Sequence, residues 1–299
     1  MSFSQTHGWL AGVIADLPTP YDNSDSIDIA AFAALCERQI AAGSSALLVG
    51  ETAGEAATLS ADEHDDLIRM AVKTSRGRAK VVAGAGGNAT CQAIALTRRA
   101  EAAGADAVLS VVPYYNKPTQ AGIEAHFCAI ADATSLPIIL HDIPSRCVRG
   151  LGDDTLLRLA ESPRFIGLRD GSGDIARPLR LRALLPPQFR LLSGDDATAM
   201  AFVLHGGDGG VSTVANIAPE LCRDMYGAIR NGEAIYAATI ADRLAALHAA
   251  LPHNATPAPV KYALSLLGLC SPRVRLPIVE LRGHEKIAIA EAMAIALGP

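Results

Sequence analysis

Ile40-Ala-Ala-Gly43-Ser-Ser-Ala46-Leu-Leu-Val49 holds the unit from which the rest of the chain is read. It joins the end of an Ala-rich helical pattern, a glycine able to close that helix in the left-handed conformation, and a short apolar run of β-formers. The unit recurs as Glu101-Ala-Ala-Gly104 before Ala107-Val-Leu109, and as Leu204-His-Gly-Gly207 before Gly210-Val211. Working outward, strands are expected at Gly12 to Leu17, Ala46 to Val49, Lys80 to Ala83, Ala107 to Val112, Pro137 to His141, Phe165 to Arg169, Arg190 to Ser193 and Gly210 to Val214. Each run is short, apolar and followed by polar or Gly-rich residues, as strands buried on both faces of a parallel sheet are.

Strands alternating with helices in this way predict a (β/α)₈ TIM barrel over residues 1–218, with a C-terminal helical extension over 219–299 packed on it. In the extension, Leu221 to Ile229, Ala234 to Leu251 and Val260 to Leu267 have helical spacing, with Pro252, Pro257 and Pro259 as breaks and an Ala-rich helix near Ile287 to Leu297. A doubly wound open sheet is the rival architecture, because closure leaves no mark in a sequence. In both, chemistry belongs on the loops at the carboxyl ends of the strands.

The 299 residues are 50% hydrophobic and 19% charged, enough apolar material for a large core and incompatible with general disorder. A formal charge of -5 gives no electrostatic reason to expect nucleic acid or an anionic membrane as partner. Cys36, Cys91, Cys128, Cys147, Cys222 and Cys270 form no CxxC pair, so neither a zinc ribbon nor a redox dithiol is indicated. Met1 to Leu10 lacks a basic region followed by an apolar run, and no stretch reaches the roughly 18 apolar residues of a membrane span. A soluble, cytoplasmic protein is expected.

Gly84-Ala-Gly86-Gly-Asn-Ala89 matches the spacing of a dinucleotide loop, but the next strand ends in Ser110-Val-Val-Pro113 with no carboxylate for a ribose. Asp22-Asn-Ser-Asp25-Ser-Ile-Asp28 lacks the glycine and late glutamate of a calcium loop and reads as a turn with an aspartate cap on a helix beginning near Ile29. There is no P-loop, HExxH pair or GxSxG elbow. No metal and no cofactor are expected.

The strand ends carry Gly50-Glu-Thr52-Ala-Gly54-Glu55, Val112-Pro-Tyr114-Tyr115-Asn-Lys-Pro118, His141-Asp-Ile-Pro144-Ser-Arg146, Gly167-Leu-Arg169-Asp-Gly171, Ser193-Gly-Asp195-Asp196 and Gly209-Gly-Val211-Ser-Thr-Val-Ala-Asn216. In this order they resemble the dihydrodipicolinate synthase and N-acetylneuraminate lyase family, from about Gly12 to at least Asn216. Thr52-Ala-Gly-Glu55 is similar to that family's Thr-Thr-Gly-Glu, Pro113-Tyr-Tyr-Asn116 to its tyrosine motif, and Ile143-Pro-Ser-Arg146 to its Val-Pro-Ser-Arg.

The resemblance implies a lyase acting on pyruvate or another 2-keto acid, in a homotetramer built from dimers or in a dimer. In that family a barrel lysine forms an imine with the keto acid. The matching residue here is Arg169. A guanidinium stays protonated and cannot serve as the amine nucleophile. Of the lysines, Lys73 and Lys80 lie before a strand, Lys117 follows one by several residues, and Lys261 and Lys286 sit in the helical tail.

His141 matches the family's tyrosine proton donor, and the resemblance implies a relay of Thr52, His141 and Tyr115, the last contributed across a subunit interface. Arg146 matches the carboxylate-binding arginine, Ala53 replaces a threonine that helps to hold the keto acid, and Val211 belongs to the substrate-binding set. Glu51 replaces a glycine and is expected to pair across the barrel mouth with Arg169, since a buried cation needs compensation. Two further readings stay open: a noncatalytic keto-acid-binding homologue, and a metal-dependent aldolase using His141, Asp142, Asp170 or Asp195.

Overall fold

The computed structural model describes residues 7–251 and 257–298, so Pro252 lies outside the described residues. Its strands are β1 (Gly12–Asp16), β2 (Ala46–Val49), β3 (Lys80–Gly84), β4 (Ala107–Val111), β5 (Ile138–Asp142), β6 (Phe165–Asp170), β7 (Arg190–Ser193) and β8 (Gly209–Ser212). They close in chain order into a parallel barrel, β8 returning to β1 with Gly12 opposite Gly209 and Val13 opposite Gly210. This excludes the open doubly wound sheet. At the seam a side chain on Gly209 would overlap the backbone of Gly12, so closure there needs a residue without a β-carbon.

The helices are α1 (Ile29–Ala42), α2 (Ala61–Ser75), α3 (Thr90–Ala102), α4 (Gln120–Asp132), α5 (Pro144–Cys147), α6 (Asp153–Ala160), α7 (Arg177–Arg182), α8 (Ala199–Leu204), α9 (Pro219–Arg230), α10 (Ala234–Ala250), α11 (Ala258–Leu266) and α12 (Gly283–Leu297). The repeated glycines do as expected: Gly43 at φ +91, Gly104 at φ +92 and Gly206 at φ +106 turn the chain out of α1, α3 and α8. Asp28 caps α1 by accepting from the Ala31 amide at 2.9 Å, as expected of the aspartate-rich turn before it. The run expected as strand to Val214 stops at Ser212, because the Asp196 carboxylate accepts from the amides of Thr213 at 2.9 Å and Val214 at 3.0 Å and turns the chain into a short 3₁₀ segment.

Alternation along the strands makes two cores. Ile14, Leu48, Val82, Leu109, Ile139, Leu192 and Val211 fill the barrel interior, while Val13, Ala15, Leu47, Val81, Leu140 and Leu168 face the helices. In β6 a bulge makes Phe165 pair with Ile138 but Gly167 with Ile139, which resets the alternation. Ile166 lies in the interior core, Leu168 in the outer one, and Arg169 turns inward.

The C-terminal segment is tied to the barrel through a buried pair. Lys261 on α11 donates to Glu55 at 2.8 Å, over the ring of Tyr21 at 4.1 Å, and the Arg275 amide donates to the other Glu55 oxygen at 2.9 Å. Burial lowers the Lys261 ammonium from its ordinary range, and the Glu55 carboxylate opposes this. Removing one member of such a pair strands a charge in the interior, at a cost of about 3–5 kcal/mol. Lys261→Met should therefore lower the unfolding free energy in urea by about that amount, and Lys261→Met with Glu55→Gln should recover at least half of it.

Candidate active site

Position in the strand decides which polar residues enter the barrel. On β1, Ile14 lies inside and Asp16 follows two residues on; on β5, Ile139 lies inside and His141 follows in the same way. His141 and Arg169 are register neighbours on β5 and β6. Glu51 reaches them from the turn after β2, where Gly50 adopts φ +64 and the His64 ring fills the place of its missing side chain.

These side chains form one buried chain of contacts. Arg169 donates through Nη2 to Asp16 Oδ2 and through Nη1 to Glu51 Oε2, both at 3.0 Å, and Glu51 Oε1 meets His141 Nδ1 at 3.1 Å. The expected pairing of Glu51 with Arg169 is therefore direct. Glu51 also accepts from the Thr52 amide at 2.5 Å, so it has three donors, whereas Asp16 Oδ1, Arg169 Nε and His141 Nε2 are buried without a partner.

The environment separates the two carboxyl groups. Burial pushes Asp16 up to about 7, against the pull of Arg169 and with the help of the nearby Glu51 and Asp196. Burial also opposes ionisation of Glu51, but His141, Arg169 and the Thr52 amide outweigh it and hold that carboxyl well below its usual range. His141 is lowered by burial and by the Arg169 charge, with Glu51 opposing, which keeps the imidazole neutral. Burial pulls Arg169 down, yet the two carboxylates raise it further above its ordinary value.

Asp142 and Asp170 point to the opposite face of the barrel wall. There Arg177 spans them, with Nη1 at 2.7 Å from Asp142 Oδ2 and 3.2 Å from Asp170 Oδ2 and Nε at 2.8 Å from Asp153. Asp195 serves its own loop, accepting from the Ala197 amide at 3.0 Å and the Thr198 hydroxyl at 2.8 Å. The ligands envisaged for a metal-dependent aldolase are thus divided between two sides of a strand, and that reading is corrected: His141 has neither Asp142 nor Asp170 beside it. Among the described residues, no three His, Cys, Asp or Glu side chains gather into a metal-holding group.

The other expected residues are spread around the mouth. Ala53 is buried and Thr52 half-buried in the Glu51 loop, and Val211 lies inside the barrel opposite Ile14. Arg146 is exposed on α5, and its charge is close enough to count against protonation of His141. Tyr115 stands on the loop after β4 at φ +70 and 87% exposed, so within one chain it does not join Thr52 and His141. Asp16 was not among the expected residues. Its signal was a carboxylate inside the apolar run Gly12-Val-Ile-Ala-Asp-Leu17, at an inward position two residues after Ile14. The Asn216 side chain fixes the end of this strand, donating to the Asp16 carbonyl at 2.7 Å.

Residues 9–296 match the model of the dihydrodipicolinate synthetase family. A 4-hydroxy-tetrahydrodipicolinate synthase of Hyphomonas neptunium is 47% identical over 95% of this chain and 98% of its own. The enzyme of the same name from Rhodospirillum centenum is 48% identical over 90% and 92%. Among solved structures, a chloride-inhibited dihydrodipicolinate synthase of Acinetobacter baumannii complexed with pyruvate superposes with a TM-score of 0.93, at 37% identity over 96% of this chain and 99% of that one. With nearly its whole length matched by the family model and by relatives of this similarity, the chain belongs to the dihydrodipicolinate synthetase family.

Proposed function

We propose that this protein is a lyase that binds pyruvate or a related 2-keto acid at the barrel mouth and performs aldol-type or dehydration chemistry without an imine at position 169. The synthase names of its relatives and the pyruvate in the Acinetobacter baumannii structure support the substrate class. The observation that carries the departure in mechanism is the Arg169 guanidinium held inside the barrel between Asp16 and Glu51. Its charge and hydrogen-bond donors can polarise a carbonyl or hold a carboxylate, but its nitrogens cannot add to a carbonyl carbon.

The five lysines are engaged elsewhere or lie on the surface. Lys261 pairs with Glu55, Lys80 with Asp106 at the start of β3, and Lys286 with Glu280, while Lys117 and Lys73 are exposed. Arg146 is assigned to the keto-acid carboxylate, with Ala53 and Val211 lining the site. Thr52, His141 and Tyr115 are assigned to proton transfer, Tyr115 from a second subunit of a homodimer or homotetramer. No cofactor is required by this chemistry. The free thiols of all six cysteines fit a cytoplasmic setting.

One observation favours a second reading, a noncatalytic keto-acid-binding homologue: both terminal nitrogens of Arg169 already serve carboxylates of the chain itself. Borohydride reduction with pyruvate, followed by intact mass measurement, should give no adduct, while a panel of 2-keto acids should include one that is turned over. A stable pyruvate adduct would overturn the imine-free assignment. Saturable binding with no product across the panel would favour the second reading.

A further inference from the structure

The buried chain Asp16, Arg169, Glu51, His141 contains one cation and two carboxyl groups around a neutral imidazole. A buried cluster is least costly when its charges cancel, so one of the two carboxyl groups should carry a proton. The hydrogen-bond count says which. Glu51 receives the Thr52 amide, Arg169 and His141, and keeps its negative charge; Asp16 receives Arg169 alone and has its second oxygen unpartnered. Burial, which pushes Asp16 up to about 7, acts in the same direction.

Glu51 also fixes the histidine. A carboxylate facing Nδ1 holds the ring proton there, which leaves the lone pair on Nε2, and that atom is buried and unpartnered. The cluster therefore offers a base, His141 backed by Glu51, and an acid, Asp16 backed by Arg169. Both belong to the barrel interior, on strands β5 and β1 that stand opposite one another in the closed order.

Building on the keto-acid reading above, we infer that these residues form an acid–base pair that enolises a 2-keto acid directly, replacing the imine with a hydrogen-bonded enol. His141 Nε2 takes a proton from C3, the C3–H electron pair becomes the C2–C3 double bond, and the carbonyl π pair moves onto O2. Asp16 gives its proton to that oxygen. The cluster begins as an Arg169–Glu51 ion pair with a neutral acid and a neutral base. It ends as two ion pairs, Arg169 with Asp16 and His141 with Glu51, each already in contact. Net charge does not change, and the enol is the carbon nucleophile that aldol addition to an aldehyde requires. Asp16 and His141 are the catalytic residues; Glu51 and Arg169 position them and hold the charges.

The charged and titratable groups around the pair enter its pH dependence: Arg169, Glu51 and Asp196 face Asp16, and Arg169, Glu51 and Arg146 face His141. Exchange needs Asp16 protonated and His141 neutral, so the rate should fall as the pH rises through about 7.

The test is loss of the pyruvate methyl signal in D₂O by proton NMR, with pyruvate binding followed by saturation transfer in the same samples. The wild-type chain should exchange the methyl protons faster than an enzyme-free blank, and Asp16→Asn and His141→Asn should each slow this by about 10²-fold or more with binding retained. Glu51→Gln should move the acidic limb of the profile to lower pH, because the imidazolium loses its counter-ion; a purely structural role would leave that limb in place. Binding without exchange, or exchange untouched by Asp16→Asn and His141→Asn, overturns the inference and leaves the keto-acid reading standing; exchange that borohydride with pyruvate abolishes by forming an adduct overturns both the inference and the imine-free assignment, with keto-acid binding retained. Absence of binding sinks that reading and the inference with it. Should a variant fail to fold, the wild-type profile still decides, since a rate that does not fall above about pH 7 contradicts an Asp16 acid.

Stability gives an independent readout of the Asp16 proton. Burial pushes the folded carboxyl up to about 7 while the unfolded one keeps its ordinary, lower value, so its favourable contribution is complete below the unfolded value and is lost as the pH rises toward about 7. Asp16→Asn removes that loss. The Tm of the variant, relative to wild type, should be higher at about pH 8 than at about pH 5, and an unchanged difference counts against a protonated Asp16.

Discussion

A guanidinium buried in the barrel interior is the constraint around which the mouth is organised. Desolvating an ion costs several kcal/mol, and Arg169 is 4% exposed, so the protein must return that energy through contacts. It does so twice, with Asp16 from β1 and Glu51 from the loop after β2, both at 3.0 Å. Two carboxyl groups for one cation overshoot neutrality. The excess is resolved by giving Glu51 the richer set of donors, which drives Asp16 toward its protonated form. Burial and then the Arg169 charge lower His141, with Glu51 opposing.

The same charge depends on parity in the strands. Without the bulge opposite Ile138 and Ile139, the alternation of β6 would place Asp170 inside and Arg169 among the helices. With it, Asp170 and Asp142 face outward onto Arg177, where they hold the segments after β5 and β6 together, and the interior keeps Arg169 beside His141. Glu51 is secured from a third direction. Four residues beyond it, Glu55 is gripped by Lys261 and the Arg275 amide, so the C-terminal segment helps to set where the Glu51 loop lies.

Much of this was legible in the sequence because it rests on short-range chemistry. The helix, glycine and strand unit needs only local rules, and the strand ends at Val49 and Ser193 follow from where apolar runs stop, while β5 and β6 run one residue past the expected His141 and Arg169. The Glu51 to Arg169 pair was legible because a buried cation needs compensation, and Glu51 stood at another strand end across the barrel mouth. Asp16 was not, because a lone carboxylate in Gly12-Val-Ile-Ala-Asp-Leu17 looks like the end of a strand, and only closure of β1 on β8 brings it across to β6. The opposite orientations of His141 and Asp142 were in principle readable from alternation, which the metal reading of the strand ends did not apply.

The contacts around position 169 suit an arginine and would act against a lysine that had to form an imine there. An amine nucleophile must lose its proton before it adds to a carbonyl, and an ammonium held by the Glu51 carboxylate would titrate higher, further from the reactive form. The acidic partners that make Arg169 tolerable in the interior would make a lysine at that position a poor imine former. Their presence and the arginine are parts of one electrostatic solution.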